Sequence, residues 1–335
     1  MGGPVAGAIA FSGPEGRSEE RTDDRPRPVA IRDLEWVGAV AQYDRARARS
    51  GGSGPGPFCF TGRVTRTEPA PSLRSRLALD PGAPPPSTLP PRTLRQEVVL
   101  VLLVSLGASA IYAVLSLLRK LLAPVPLSQS QATLNGSVVD QQWLDLAYQL
   151  VGIGLGVVPA FLVLHLLARD RIPARSLGID RSRPGPDLGR GAILAAVIGI
   201  PGLLLYVAAH ALGISATIVP SGLPDVWWRI PVLILSAAMN ATLEEVVVIG
   251  YLLTRLRQLG RSVPWAIGIA AMLRGSYHLY QGFGAFVGNA VMGVVFGWFF
   301  LRTRRVMPLI VAHTILDTVS FVGYVALSGH LSWLP

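Results

Sequence analysis

The sequence contains almost no cysteine and almost no lysine. Cys59 is the single cysteine, which excludes an internal disulfide framework and a metal cluster built from thiolates. Lys120 is the single lysine, so the formal net charge of +10 comes almost entirely from arginine. Residues 1–95 lack an apolar core segment, and we therefore expect no cleavable signal peptide. Apolar residues are abundant instead, at 50% of the chain, which is typical of a polytopic membrane protein.

The first part of the chain differs from the rest in composition. Residues 1–95 are rich in Pro, Gly, Arg and Asp, with patches such as GGSGPGP at 51–57 and PGAPPP at 81–86. Such a segment buries too little apolar surface to offset the entropy lost on ordering. We therefore predict a disordered cytoplasmic tail over 1–95 and a membrane domain over 96–335.

Seven apolar runs follow the tail. They lie near 98–118, 146–168, 191–212, 230–254, 264–282, 285–301 and 306–327. About 20 helical residues cross the hydrocarbon core of a bilayer. The predicted fold class is therefore all-α, a polytopic transmembrane bundle of about seven helices. Glycines at four-residue spacing, such as Gly152 with Gly156 and Gly293 with Gly297, predict faces where helices pack closely.

Basic residues are concentrated in alternate linkers. The basic linkers are 169–190, 255–263 and 302–305, whereas 121–145 and 213–229 carry only Arg229. By the positive-inside rule this pattern predicts a cytoplasmic N-terminus and an external C-terminus. Arg119 and Lys120, at the outer end of the first helix, depart from the rule. We expect their side chains to snorkel to the membrane interface.

The placement of the basic charge also limits the partners. A net positive charge can indicate nucleic-acid binding, but here the arginines flank apolar runs and reflect membrane topology. We therefore expect the lipid bilayer, and no nucleic acid, as a partner. The preference for arginine over lysine suggests a GC-rich bacterial genome, hence an integral protein of a bacterial plasma membrane.

Six ionisable residues interrupt the last four apolar runs. They are Glu244, Glu245, Arg274, His278, His313 and Asp317. A charged group at the centre of a membrane helix costs at least ~2.5–3.5 kcal/mol and usually marks function. The i, i+4 spacing places His313 and Asp317 on one helix face, and it does the same for Arg274 and His278.

These six residues also lie at similar depth. A rise of about 1.5 Å per residue puts them roughly 10–21 Å from the cytoplasmic helix ends. Glu244 and Glu245 differ by about 100° around their helix, so we expect one at a reacting centre and the other in a supporting pair. Two imidazoles and carboxylates suit a site that binds a divalent metal or directs a water. The alternative is a set of structural ion pairs, Glu245 with Arg274 and Asp317 with a histidine, which would add little stability.

The combination resembles the CPBP family of intramembrane proteases, which groups CAAX prenyl endopeptidases with bacteriocin-processing or immunity proteins (also called Abi). The three motifs of that family are Glu-Glu-x-x-x-Arg, Phe-x-x-x-His and His-x-x-x-Asn/Asp, each on its own helix. They align with EEVVVI at 244–249, RGSYH at 274–278 and HTILD at 313–317. The resemblance covers about residues 95–330.

The resemblance implies an intramembrane endopeptidase that acts on a membrane-associated protein or peptide. Glu244 would be the general base that activates water, and Glu245 is the second glutamate of its motif. His278, His313 and Asp317 would hold that water. They would alternatively join Glu244 as ligands of a divalent metal, with Zn²⁺ favoured. The family also admits a metal-independent glutamate mechanism.

Two positions depart from the family pattern. Ile249 replaces the motif arginine, and Arg274 replaces the motif phenylalanine. On an α-helix, position 249 would lie one turn beyond Glu245. We hypothesise that the positive charge has moved between helices, so that Arg274 pairs with Glu245 and belongs to the catalytic set. The alternative is a divergent, inactive member of the family.

Two other functions compete with the endopeptidase. One is a non-catalytic membrane scaffold or immunity factor of the same family, and the other is a proton-coupled transporter. A scaffold would not need Glu244, His278 and His313 together. Transporters often contain internal repeats, and none is clear in this sequence. The residue pattern therefore favours hydrolysis.

Overall fold

The computed structural model describes residues 84–327, in which all seven predicted apolar runs are helical. The helices are α1 (Pro91–Leu103), α2 (Leu106–Leu121), α3 (Gln142–Gly156), α4 (Val158–Arg169), α5 (Pro184–Ala211), α6 (Arg229–Gln258), α7 (Val263–Tyr277), α8 (Phe283–Thr303) and α9 (Met307–Leu327). The first run is divided between α1 and α2, which meet at a bend of 52°. The second run is divided between α3 and α4. The predicted helical bundle is confirmed.

The helices match the dimensions of a bilayer. Within residues 84–327, five helical spans are long and apolar enough to cross a membrane when α3 and α4 are counted as one, and six if α1 and α2 also form one bent span. Large apolar side chains face outward, for example Ile200 and Leu204 on α5 and Leu155 on α3. Lipid, rather than water, suits such a surface. The chain is therefore an integral membrane protein.

Helix α6 lies at the centre of the bundle. Residues 246–249 and 251–253 of this helix are almost fully buried. All of them except Tyr251 are purely apolar and could face lipid, yet they face other helices instead. They pack in one apolar cluster with Phe296 and Phe300 of α8 and with Leu309 of α9. A helix that is apolar all round is expected to be buried among other helices. The glutamate pair consequently sits on the most enclosed helix.

Small residues bring neighbouring helices together at two predicted faces. A Cβ atom added to Gly293 would lie 2.9 Å from Cα of Ala271, so α7 and α8 approach backbone to backbone. A Cβ atom at Gly156 would lie 2.6 Å from Sδ of Met239 on α6. At Gly152 an added Cβ would meet nothing within 4 Å in the described part of the chain. The close packing predicted for the Gly152–Gly156 pair is therefore right for Gly156 only.

Two linkers contain short strands that the sequence does not predict. Strand β1 (Gln131–Gly136) pairs in parallel with β2 (Thr217–Gly222). The segment QATLNG alternates polar and apolar residues over 131–135, a short signal that the prediction did not use, whereas TIVPSG shows no such alternation. The pair ties the linker after α2 to the linker after α5, on the side of the bundle where α7 ends.

The beginning of the described chain is held by Asp170, which follows α4. Its Oδ1 accepts hydrogen bonds from the N–H and the hydroxyl of Thr88, both at 2.7 Å, and its Oδ2 accepts one from Ser87 at 2.7 Å. Gln258 donates to the carbonyl oxygen of Pro85. Residues 84–95, which the sequence assigns to the tail, are thus hydrogen-bonded or helical. Residues 1–83 of the predicted tail lie outside the described residues.

The hydrogen bonds from Ser87 and Thr88 to Asp170, which we call the Asp170 clamp, are expected to weaken in acid. Burial by itself raises the pKa of Asp170, but hydrogen bonds from Ser87, Thr88 and Arg255 outweigh it and hold the pKa well below its ordinary range. The carboxylate therefore stabilises the folded state above its unfolded pKa of about 3.9, and this contribution is lost as the pH falls below that value. We expect Asp170→Asn to lower the free energy of unfolding by about 1.5–3 kcal/mol at neutral pH.

Thermal unfolding of the detergent-solubilised protein between neutral pH and about pH 3 measures this effect. As the pH is lowered toward 3, the melting temperature of the variant should fall less than that of the wild type. Asp140, an exposed residue before α3, provides the matched control, and Asp140→Asn should change neither property. Equal destabilisation by both substitutions would contradict the clamp.

Candidate active site

The paired glutamates lie where α6 changes its winding. The helix is α-helical over Arg229–Glu244, π-helical over Glu245–Leu252 and α-helical again over Leu253–Gln258. Hydrogen bonds in a π-helix run from i to i+5, and such segments are frequent at functional sites. A π turn is only slightly wider than an α turn, so Ile249, four residues beyond Glu245, still lies about one turn along the helix.

Arg274 joins the two glutamates from α7. Its Nη1 donates to Oε1 of Glu245 at 2.8 Å, and its Nη2 lies 3.3 Å from Oε2 of Glu244. The predicted pairing of Arg274 with Glu245 is confirmed. The pairing is less exclusive than predicted, because the same guanidinium also contacts Glu244.

His313, from α9, completes a buried ion network with Glu245 and Arg274. Its Nδ1 lies 2.8 Å from Oε1 of Glu245 and 3.1 Å from Nη2 of Arg274. A carboxylate only accepts hydrogen bonds, so the Nδ1–H group donates to Glu245. The lone pair of a neutral His313 ring is then on Nε2, which lies 3.6 Å from Oδ1 of Asp317. Glu245 thus orients the imidazole, as carboxylates do for histidines that bind metals or water.

The buried ion network is closed to solvent, whereas its neighbours are not. The side chains of Arg274 and Glu245 are 0% exposed. Those of Glu244, His278 and Asp317 are 11%, 17% and 22% exposed, and we call these three the accessible set. The two adjacent glutamates therefore differ in exposure: Glu245 is enclosed in the buried ion network, and Glu244 is partly exposed.

His278 lies opposite Glu244 without touching it. The distance from its Nε2 to Oε2 of Glu244 is 3.9 Å, too long for a direct hydrogen bond. Its Nε2 is buried and has no hydrogen-bond partner among the described residues. Polar atoms this far apart suit a third atom bound between them. The accessible set therefore offers a place where a water would contact both side chains.

The position of His278 differs from the predicted one. The run 264–282 is not one helix: α7 ends at Tyr277, and Leu279–Gln281 form a single 3₁₀ turn. Gly282 has φ of +110°, a conformation that favours glycine, and the chain reverses there into α8. His278 is consequently the first residue beyond α7, so its placement depends on the turn that follows it.

Two contacts of the site were not predicted. The Tyr277 hydroxyl donates to Oε2 of Glu244 at 2.7 Å, and the Gln281 amide nitrogen lies 3.4 Å from Nδ1 of His278. A buried tyrosine hydroxyl normally has a hydrogen-bond partner. Tyr277 stands next to the motif histidine His278 in the sequence, and this position was the available indication of its contact with Glu244. With Gln281 donating to Nδ1, the proton of a neutral His278 ring is on Nε2 and faces Glu244.

The donor set fits a divalent metal. One donor atom from each of Glu244, Glu245 and His313 lies within 4.8 Å of the others, and Oε2 of Glu245 is buried without a partner among the described residues. Three carboxylates against one guanidinium also leave a formal charge of −2 when both imidazoles are neutral, which a divalent cation would balance. The predicted ligands His278 and Asp317 lie outside this compact group, His278 on the turn after α7 and Asp317 one helical turn beyond His313.

Comparison with known proteins agrees with the motifs. No curated protein and no solved structure matches the chain. Residues 226–319, which contain α6, α7, α8 and all three motifs, match the family model described as type II CAAX prenyl endopeptidase Rce1-like. The resemblance to CAAX prenyl endopeptidases seen in the sequence is therefore confirmed over residues 226–319.

Proposed function

We propose that the protein is an intramembrane endopeptidase that hydrolyses a peptide bond of a membrane-associated protein or peptide. One observation carries the proposal: the Glu244 carboxylate is partly exposed among apolar helices, and His278 from the turn after α7 and His313 with Asp317 from α9 converge on it. The family match favours a peptidase over a scaffold or a transporter. The three motifs supply both a base and groups that orient water.

In the proposed reaction Glu244 takes a proton from the attacking water. The water oxygen bonds to the carbonyl carbon of the substrate, and the proton moves to the Glu244 carboxylate. When the tetrahedral intermediate collapses, the C–N bond breaks and Glu244 returns the proton to the leaving amine. His278, with its proton on Nε2, donates a hydrogen bond to the water or to the oxyanion.

The rest of the cluster keeps Glu244 ready for this role. Tyr277 and Arg274 both contact its Oε2, which holds the carboxylate in place and favours the ionised form. Arg274 is itself fixed by Glu245, and Glu245 also orients His313. The buried ion network therefore acts as a rigid support behind the accessible set.

We propose Zn²⁺ as the metal of this site. Glu244, His313 and the unpartnered Oε2 of Glu245 would hold it. When bound, such an ion polarises a carbonyl group and lowers the pKa of a bound water. The metal-independent alternative within the same site uses Glu244 alone as the base.

Chelation distinguishes these two mechanisms. We expect a chelator to abolish cleavage of a membrane-associated reporter peptide by the protein in proteoliposomes, and added Zn²⁺ to restore it. Metal analysis of the protein before and after treatment confirms removal. Full activity after complete metal removal would reject the metal and leave the glutamate mechanism. Two results together would reject the proposed function: the wild type cleaves no reporter peptide, and the protein termini found in membranes are the same with and without the protein.

We also propose the orientation given by the arginine pattern. The N-terminus would be cytoplasmic and the membrane a bacterial plasma membrane, with the lipid bilayer and the peptide substrate as the partners. Reporter fusions after α4 and after α5 test this, because the two linkers should lie on opposite sides. Comparison of protein termini in membranes containing wild type or the inactive glutamate variant would identify substrates.

A further inference from the structure

Lys120 does not occupy the position expected of a basic residue at a membrane interface. Its side chain is buried, with the residue only 7% exposed, and Nζ donates a hydrogen bond to the carbonyl oxygen of Tyr280 at 2.6 Å. The expectation that it snorkels to the interface is therefore wrong. The neighbouring Arg119 is exposed, so the two adjacent cations of α2 point in different directions.

The inward direction follows from the helix period. The buried residues of α2 are Leu106, Ala113, Leu117 and Lys120, which recur at intervals of seven, four and three. Such intervals mark one helix face. Lys120 thus occupies the last position of an apolar stripe that packs into the bundle. A cation at that position needs a fixed acceptor, because a buried ammonium without one is strongly unfavourable.

The acceptor belongs to the turn that carries His278. Tyr280 lies in the Leu279–Gln281 turn, two residues beyond His278. The opposite side of this turn is held by the 214–216 segment, since the N–H of Ala216 donates to the Gln281 carbonyl and the N–H of Phe283 donates to that of Ile214, both at 2.9 Å. Leu279 and Tyr280 of the turn also pack against an apolar cluster that includes Leu117 of α2. Lys120 therefore adds a directional hydrogen bond on the α2 side, which completes a clamp around the turn.

We propose that Lys120 is a positioning residue, which fixes the turn after α7 so that Nε2 of His278 stays opposite Glu244. The inference rests on the proposed function, because it assigns the His278–Glu244 geometry a catalytic purpose. It extends that function to a helix outside the matched segment 226–319. The contact of Lys120 is to backbone, so the clamp does not depend on which side chain occupies position 280.

The test compares Lys120→Met with Arg119→Gln, a matched change at the adjacent exposed cation. In proteoliposomes we expect Lys120→Met to lower kcat for the reporter peptide by about 10- to 100-fold, with KM little changed, because displacement of a catalytic group by about 1 Å has effects of this size. Lys120→Arg, which keeps a cationic donor, should recover most of the rate. Arg119→Gln should match the wild type.

Hydrogen–deuterium exchange supplies a readout that does not require activity. Amides of 279–283 should exchange faster in Lys120→Met than in Arg119→Gln, with the other helices unchanged. That result supports the positioning role even if the wild type cleaves nothing, in which case only the proposed function fails. Unchanged exchange over 279–283, or faster exchange spread equally over all helices, would overturn the inference. If the methionine variant does not fold, Lys120→Ala, which also removes the donor and leaves room for water beside the turn, replaces it.

Discussion

Replacing Glu244 by glutamine is expected to reduce kcat/KM for a peptide substrate by about 100- to 10,000-fold, the usual contribution of a general base. Glutamine has nearly the same shape and can still accept the Tyr277 hydroxyl, so the fold should survive. The carboxylate that takes the proton is lost. The measurement is the cleavage rate of a reporter peptide by purified variants in proteoliposomes, together with their melting temperatures.

A half-buried glutamate outside the site, Glu97, gives the matched control. Glu97 on α1 accepts the Tyr251 hydroxyl at 3.0 Å and pairs with Arg255 at 2.7 Å, so it too is a membrane-helix carboxylate with a tyrosine and an arginine. Glu97→Gln should lower the melting temperature while the folded protein keeps its kcat. Wild-type cleavage by Glu244→Gln would refute the assignment of Glu244 as the base and favour a non-catalytic member of the family.

Arg274→Leu is expected to damage both folding and activity. The substitution leaves the fully buried Glu245 carboxylate with His313 as its remaining ion partner. Removing one member of a buried pair typically costs about 3–5 kcal/mol. It also releases Glu244 from the contact at 3.3 Å. We expect a much lower melting temperature and, in the fraction that folds, loss of detectable cleavage.

A double variant separates the two effects. Arg274→Leu combined with Glu245→Gln removes both charges, so much of the lost stability should return while cleavage stays low. Arg274→Lys should be intermediate, because an ammonium is a point donor and cannot bridge two carboxylates as a planar guanidinium does. If Arg274→Leu alone remains stable and active, the idea that the motif charge has moved from position 249 to position 274 is untenable.

The membrane bundle was predictable from the sequence because the strongest pattern in the sequence is a series of apolar runs long enough to cross a bilayer. Each of the seven runs became helical, and the ends of α6 and α9 differ little from the runs 230–254 and 306–327. The end of α7 was not predictable in this way. The run 264–282 becomes more polar from Arg274 onward, but this change does not mark where the helix ends, and the reversal becomes visible only in the geometry at Gly282. The strands β1 and β2 depend on pairing between linkers distant in sequence, which periodicity does not report.

Within the site, the predictable residues were those that are energetically costly in a membrane. Glu245 and Arg274 had to find each other because neither is tolerable alone in an apolar environment. Tyr277 and Gln281 have no such cost, and their roles follow only from the positions of Glu244 and His278. Lys120 was misread because a lysine near a helix end normally reaches the interface, and the stripe it shares with Leu117 was given less weight.

The π-helical segment of α6 has a consequence for how the chain tolerates change. A π turn holds about one residue more than an α turn, so this segment can lose one residue by reverting to α winding and still present Arg255 on nearly the same side. Deleting one residue from an α-helical part of α6 would instead rotate everything beyond it by about 100°. A deletion between the glutamates and Arg255 outside the π turns would therefore turn Arg255 away from Asp170 and Glu97. The π segment is thus the part of α6 whose length can change without separating the candidate active site from the Asp170 clamp.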